Sequence, residues 1–573
     1  MSEMSREQAV AELTKAGAPF AVEMREVAGV PMRVYANAPP SLVSVLESSR
    51  GHGTNDFLVY GHDRFSFADH LGIVAGLAEW MATEGGIGKG DRVAIGMRNY
   101  PEWLFAFWAT LALGALAVPL NAWWTAPELR YALDDSGATF AILDDERYER
   151  LRDDLGALEM PSIVVRDDGA IGAGAVHWRD VLEQLDRTVA LPDVGIDSDD
   201  AATILYTSGT TGRPKGAVGT HRNHVTNYMN MAFGGAVEAV VAMGRPAPPE
   251  PAAAPPPPCS LQTYPFFHIG GITMLYMSTG FGIKLVLQYK WDLEEALELI
   301  QRERVTSFAA VPTILRQVFD SPLLDRYDTT SLGNVGSGGA PVPPDLVGRV
   351  DDLFESRAAP ANGYGLTETT SAVTSNRGPD YLSHPNSVGR LLPIVDARVV
   401  DPESGLDLPT GEVGELWFHG PNVVPGYWNN PDATAETFTD GWFRTGDLGA
   451  VDDDGFVYVV DRLKDVVIRS GENVYCAEVE AAIFEHPTVA DVAVIGIPHR
   501  ETGEQVAAVV QLKDGASAST VELQEHVGAR LARFKVPEYV VIRAEPLPRT
   551  ASGKVLKREL RDELTRPDTS ARP

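Results

Sequence analysis

Two cysteines, Cys259 and Cys476, are all that the 573-residue chain holds. Their separation matches no metal-ligand spacing and no disulfide framework, which fits a reducing cytosol. Positive charge is also scarce: 48 lysines and arginines face 79 acidic residues, for a formal net charge of −31. That balance argues against nucleic acid or an anionic membrane surface as a partner, so anionic ligands must be met by local positive sites. The N-terminus carries Glu3, Arg6 and Glu7 and lacks an apolar core, so no signal peptide is expected and the location expected is cytoplasmic. There is no Gly-x-Ser-x-Gly elbow and no Ser/His/Asp or Cys/His signature, which leaves Ser337 a poor nucleophile. One uncharged stretch, residues 103–124, is long enough to span a bilayer. Thr110, Gly114, Pro119 and Asn121 interrupt it, and it reads as a buried helix, a turn near Gly114 and a buried strand ending near Pro119. No transmembrane segment is expected.

What is present is an ordinary apolar content of 44% in a chain too long for one core, so at least two domains are expected. Helical periodicity over 71–83, 101 onward, 128–134 and 293–302 alternates with apolar runs at 92–96, 117–118, 139–143, 204–205 and 284–287. Such alternation implies parallel sheets covered by helices. After residue 460 the charged run Asp461-Arg462-Leu463-Lys464-Asp465 separates apolar strands. About 100 residues follow, a typical small-domain size, with helices at 477–485 and 520–530 and strands at 489–495 and 505–512. The fold class expected is α/β: a large N-terminal domain over 1–461 of helix-covered, mostly parallel sheets, a hinge at 462–465, a small α+β C-terminal domain over 466–566 and a tail at 567–573. Residues 246–258 are nearly all proline and alanine, and read as an exposed polyproline-like spacer.

Residues 206–216 read Tyr-Thr-Ser-Gly-Thr-Thr-Gly-Arg-Pro-Lys-Gly after a short apolar strand. Glycines let backbone N–H groups converge on an anion, hydroxyls donate to phosphate oxygens, and lysine adds a point charge. It is not a Walker loop, because no Gly-Lys-Ser/Thr closes it. Further along stand Tyr264-Pro265-Phe266-Phe267-His268-Ile269-Gly270-Gly271, Gly336-Ser337-Gly338-Gly339-Ala340-Pro341, Asn362-Gly363-Tyr364-Gly365-Leu366-Thr367-Glu368-Thr369, Gly441-Trp442-Phe443-Arg444-Thr445-Gly446-Asp447-Leu448, and Pro546-Leu547-Pro548-Arg549-Thr550-Ala551-Ser552-Gly553-Lys554. Pro341 stands where a dinucleotide fingerprint needs its third glycine.

In this order these runs resemble the adenylate-forming superfamily, which includes acyl-CoA synthetases, aryl-CoA ligases, luciferases and peptide-synthetase adenylation domains. The resemblance covers roughly residues 91–560. It implies an AMP-forming carboxylic acid–CoA ligase using ATP, Mg²⁺ and coenzyme A. The acid is first joined to AMP with loss of pyrophosphate, and a thiol then displaces AMP. Carried over residue by residue, Thr207, Ser208, Gly209, Thr210, Thr211 and Lys215 hold the phosphates. Gly339, Ala340, Asn362, Gly363, Tyr364, Gly365 and Thr367 line the nucleotide pocket, with Tyr364 on adenine and Thr367 at the α-phosphate. Asp447 takes the ribose hydroxyls, Arg462 reaches ribose or phosphate, and Thr207 and Glu368 hold Mg²⁺. Lys554 bridges carboxylate and phosphate during adenylation. Phe266, His268, Gly338 and Gly365 border the acyl pocket, and a cationic His268 would favour the substrate anion. Residues 227–231 are expected to help shape that pocket.

In the family the small domain swings between the two steps. The pivot maps to Lys464, Ser470, Gly471 and Glu472 map to the loop facing the thiol tunnel, and Lys535 is a candidate for a CoA phosphate. The acid expected is a medium- or long-chain fatty acid, with an aromatic or steroid side-chain acid close behind. Other readings are an enzyme that loads a carrier protein or releases acyl-AMP, a luciferase-like monooxygenase and a non-catalytic binding module. No carrier domain follows Lys554, and Lys215, Glu368, Asp447 and Lys554 are intact, against the first and last of these. A homodimer is a possible assembly. Cys476 stands where many relatives have proline, and His499 where aspartate is usual; either could alter packing of the small domain.

Overall fold

The structure, a computed structural model, describes residues 4–207, 213–243, 257–550 and 554–565. Ser208, Gly209, Thr210 and Thr211 and most of the proline tract lie outside the described residues. Pro257 and Pro258, at its end, are exposed and outside any helix or strand.

Two sheets build the large part. The first has seven strands, in the order Lys215–Thr220, Ala201–Thr207, Leu116–Pro119, Arg92–Gly96, Phe140–Asp144, Ser162–Val165 and Ala175–His177. All neighbours are parallel except the first pair, which forms an antiparallel hairpin. The second sheet has an antiparallel edge strand, Asp63–Ser66, beside Asp56–Tyr60, and runs parallel from there through Lys284–Leu287, Cys259–Gln262, Ser307–Ala310 and Asn334–Ser337 to Ala359–Asn362. It then continues antiparallel through Thr374–Arg377, Gly389–Leu391, Phe456–Arg462, Trp442–Val451, Gly414–His419 and Asp396–Val400. The alternation of helix and strand foretold the parallel parts. It missed the antiparallel run, whose strands follow one another with little helix between them.

The uncharged stretch resolves as expected. Pro101 opens the helix Pro101–Ala112, where its missing N–H costs nothing. Gly114 turns the chain at φ 67°, and the strand Leu116–Pro119 follows. Every residue of that helix is buried, as befits a helix apolar all round. Trp103 stacks on Phe107 at 5.4 Å and meets Phe266 at 5.2 Å between ring centroids. Trp108 Nε1 donates to Thr279 Oγ1 at 3.2 Å, tying this helix to the helix Ile269–Phe281. No helix among the described residues is long and apolar enough to cross a membrane.

The small part is a five-stranded sheet of Glu472–Val474, Val467–Arg469, Gly503–Leu512 and Val489–His499, with Tyr539–Arg543 parallel on Gly503–Leu512. Helices Cys476–Phe484, Thr520–Gly528 and Lys557–Thr565 accompany it, the α+β arrangement expected. The strand Phe456–Arg462 carries Arg462 opposite Asp447, and a turn follows from Leu463. Cys476 begins its helix, where a proline would fit. Its N–H donates to Asp461 Oδ2 and its Sγ to the Asp465 carbonyl at 3.0 Å, so it grips both sides of the turn.

Trp103→Ala should empty a closely packed site and lower stability by about 3–5 kcal/mol. The urea midpoint followed by circular dichroism will fall; an unchanged midpoint would mean that Trp103 is not part of the core.

Candidate active site

The ends of the parallel strands and the antiparallel run meet over one region. Thr207 closes the strand Ala201–Thr207 and lies opposite Lys215, which opens the antiparallel strand Lys215–Thr220. Thr207 Oγ1 donates to the Lys215 carbonyl at 3.5 Å. The Lys215 ammonium sits 5.1 Å over the Tyr427 ring, and Tyr427 Oη donates to Glu368 Oε1 at 2.8 Å. Tyr427 is held there by backbone: Trp428 N–H donates to the Gly216 carbonyl at 2.7 Å and Val218 N–H to that of Gly426 at 3.0 Å. Sequence reasoning passed over Tyr427; its one signal was an aromatic pair placed just before the helix cap Asn430.

Glu368 is 9% exposed, in the short helix Thr367–Thr369. Burial raises its carboxyl, and the Tyr427 hydroxyl opposes that shift. Among the described residues it forms no ion pair. A buried carboxylate with one oxygen taken and no ion-pair partner among the described residues suits a divalent ion that also binds phosphate oxygens.

Tyr364 Oη donates to Asp447 Oδ2 at 2.5 Å, and Arg462 Nε approaches Asp447 Oδ1 at 3.0 Å. Both oxygens expected to meet ribose are therefore engaged by protein groups in this structure. Burial, and then Asp447, push the Tyr364 phenol far up, so it stays a donor. Lys554 comes to this cluster from the small domain. Burial and then the Arg462 guanidinium lower its ammonium to about 7, Asp447 opposes, and Lys464 adds to the lowering. Asn362 Oδ1 accepts the Gly363 N–H at 2.7 Å at the end of the strand Ala359–Asn362.

One expectation needs correction, and two other residues have local partners. His268 is not cationic: burial lowers its imidazole to about 4. It caps the helix Ile269–Phe281, with Nδ1 accepting from Gly270 N–H at 3.2 Å, so its proton sits on Nε2. Gly365 serves its own hairpin, since a Cβ there would lie 1.7 Å from the Ser371 carbonyl oxygen. Lys535 is not a free cation: its ammonium holds Glu478 at 2.6 and 2.8 Å.

Phe266 is fully buried behind His268, against Trp103. Gly338, Gly339 and Ala340 follow the strand Asn334–Ser337, and Tyr264 Oη donates to the Gly338 carbonyl at 3.4 Å. Thr367 starts the turn that carries Glu368. Lys464 is exposed in the turn after Arg462. Ser470 and Gly471, at φ 54° and 84°, form the exposed two-residue turn before Glu472. Among the described residues, no hydrogen bond or ion pair joins that turn to the Asp447–Lys554 cluster. The structure thus unites Thr207, Lys215 and Glu368 in one group and Tyr364, Asp447, Arg462 and Lys554 in another.

Comparison with known proteins places this geometry. The model of the AMP-binding enzyme family matches residues 46–428, and that of the AMP-binding enzyme C-terminal domain matches residues 478–554. A feruloyl-CoA synthase of Amycolatopsis sp is 37% identical over 504 residues, 88% of this chain and 94% of that protein. The long-chain-fatty-acid–CoA ligase FadD13 of Mycobacterium tuberculosis is 36% identical over 486 residues, 84% of this chain and 89% of that protein. The solved structure of O-succinylbenzoate coenzyme A synthetase (MenE) from Bacillus subtilis in complex with ATP and magnesium ion is 28% identical. It superposes with a TM-score of 0.74, covering 91% of this chain and 99% of that one.

The lowered Lys554 ammonium has a measurable sign: it is charged below about pH 7 and neutral above it. In the ¹³C spectrum of reductively methylated protein, one lysine resonance absent from Lys554→Arg should titrate near 7. Asp447→Asn removes the opposing negative charge and should move that midpoint lower. A Lys554 resonance titrating above 10, the usual lysine range, would refute the burial that this geometry requires.

Proposed function

The chain belongs to the AMP-binding enzyme family and is an AMP-forming acid–CoA ligase, and on that premise we propose that its acid is a medium- or long-chain fatty acid. The observation that carries this reading is the accessible side of the helix Ile269–Phe281. Beginning two residues after His268, Gly270, Met274 and Met277 are partly exposed and Phe281 is 42% exposed. Their neighbours on the helix are buried, apart from partly exposed Gly280. The spacing draws one apolar stripe roughly 16 Å long at 1.5 Å per residue. Tyr228 stacks on Phe281 at 4.8 Å at its far end. Flexible methionines suit a flexible chain. An aryl acid is the second reading, favoured by the feruloyl-CoA synthase relative.

In the mechanism, the carboxylate oxygen attacks the α-phosphorus of ATP, the bond to the β-phosphate oxygen breaks, and pyrophosphate leaves. The neutral His268 offers an Nε2–H donor to the waiting carboxylate. Lys554 in its ammonium form, together with Lys215, meets the charge that builds on the oxygens. Glu368 and Thr207 are the residues that would hold Mg²⁺, which supplies charge neutralisation on the phosphates. The ribose hydroxyls would take the places of Tyr364 Oη and Arg462 on Asp447. The thiol of coenzyme A then attacks the acyl carbon and AMP departs with the electron pair. We assign the pivot between the two steps to the turn 463–465, with Lys464 at its centre, and the thiol-facing loop to Ser470, Gly471 and Glu472.

Acids of graded chain length, with ATP and coenzyme A, should give AMP and thioester in equal amounts, with kcat/KM highest for medium or long chains. Met274→Trp should shorten the preferred chain by filling the stripe. A wild-type preference for aryl acids, or a Met274→Trp profile like the wild type, would overturn the fatty-acid reading.

A further inference from the structure

One helix end reaches three segments around the group formed by Thr207, Lys215 and Glu368. In the helix Ala126–Ser136, Glu128 accepts the Thr125 N–H at 2.8 Å, Pro127 sits in the first turn, and Gly137 closes the far end at φ 63°. Its last turn carries Asp135. Asp135 Oδ2 accepts from the Tyr206 hydroxyl at 2.7 Å, and Oδ1 from the Tyr131 hydroxyl at 3.4 Å. Tyr206 stands next to Thr207 on the strand Ala201–Thr207. Tyr131 shares its proton with the Pro214 carbonyl at 3.2 Å, just before Lys215. The last carbonyls of a helix lack donors within it. That of Asp135 accepts from the Trp428 indole N–H at 3.1 Å and the Asn429 side-chain amide at 3.2 Å. These two residues follow Tyr427, whose hydroxyl holds Glu368.

Two adjacent acids on this helix do different work. Asp134 is exposed and pairs with Arg130 at 2.8 Å. Asp135 is half-buried and, among the described residues, joins no ion pair; its oxygens go to the two phenols. Burial, and then Asp135, push the Tyr206 phenol far up, so it stays a donor. A phenol on a carboxylate is a short, charge-assisted hydrogen bond. Without the carboxylate, the Tyr206 hydroxyl keeps only the Ala132 carbonyl at 3.4 Å.

Asp135 therefore ties together the strand end at Thr207, the strand start at Lys215 and the segment behind Tyr427. A hydroxyl, an ammonium and a carboxylate that meet one polyanion must keep their spacing, since a misplacement of about 1 Å can cost a hundredfold. Resting on the reading above, in which Thr207, Lys215 and Glu368 serve the phosphates and their metal, we propose that Asp135 is a positioning residue for the triphosphate end of ATP. It acts through Tyr206 and Tyr131 and touches no substrate itself.

The test titrates the full-length protein with ATP plus Mg²⁺, and separately with AMP, by calorimetry. Binding needs no acid, so the result does not depend on which acid the enzyme takes. Asp135→Ala leaves the Asp135 carbonyl and its bonds to Trp428 and Asn429 in place. It should weaken ATP binding about tenfold, the worth of one charged hydrogen bond, and leave AMP, which lacks the two outer phosphates, unchanged. Tyr206→Phe removes one hydroxyl and keeps the ring, and it should do the same. The double variant should be no weaker than either single one, because both lose one shared contact. Asp135→Asn, which keeps an acceptor, should recover part of the loss. Lys215→Ala is the reference for a direct phosphate contact. If it weakens ATP binding while Asp135→Ala and Tyr206→Phe match the wild type, the positioning role alone is overturned. If Tyr206→Phe loses ATP and AMP alike, the contact supports the fold as a whole and the proposal is also overturned. If Lys215→Ala binds ATP as the wild type does, the phosphate reading itself fails, and the positioning role falls with it.

Discussion

A single buried carboxylate organises the seam between the two parts of the molecule. Asp447 is 3% exposed, yet it faces the Arg462 guanidinium, the Tyr364 hydroxyl and, through space, the Lys554 ammonium. Each of these comes from a different stretch: the strand Phe456–Arg462, the turn after Asn362 and the C-terminal loop. Arg462 and Lys554 repel each other in a poorly hydrated space, where such repulsion is much stronger than in water. Asp447 makes their approach tolerable without neutralising both. The cluster keeps a surplus of positive charge, a condition suited to a polyanion.

The second group works by a chain of contacts rather than a charge sum. Lys215 lies over Tyr427, and Tyr427 holds one oxygen of Glu368. Lys215 is thereby connected to the carboxylate by an aromatic ring, which spaces cation and anion apart and prevents a closed salt bridge. A lysine collapsed onto Glu368 would cancel the two charges that a metal-bound polyphosphate needs separately. The strand-like segment at Gly426–Trp428 fixes this spacing through backbone hydrogen bonds.

Much of this was legible in sequence, and what was not shares a cause. Helix and strand periodicity located the parallel layers because each residue's burial there follows local spacing. The antiparallel strands were harder, since their partners lie far away and their register depends on bulges such as the one between Glu415 and Trp417. Motifs singled out Thr207, Lys215, Glu368, Asp447 and Lys554, which the structure gathers into two groups, because short loops at strand ends converge in such folds. Motifs carry no information on protonation or on local competitors. His268 lost its proton to burial, Lys535 lost its freedom to Glu478, and Gly365 answered to the Ser371 carbonyl.

Cys476 carries one more consequence. Proline at its position has no N–H to give, so a chain with proline there leaves Asp461 ungripped from that side. Here the amide and the thiol clasp residues on either side of the same short turn. Any reorientation about that turn must unfasten the clasp on the way out and refasten it on return. The clasp is made by a residue with no part in the chemistry, and its two hydrogen bonds would resist any such movement.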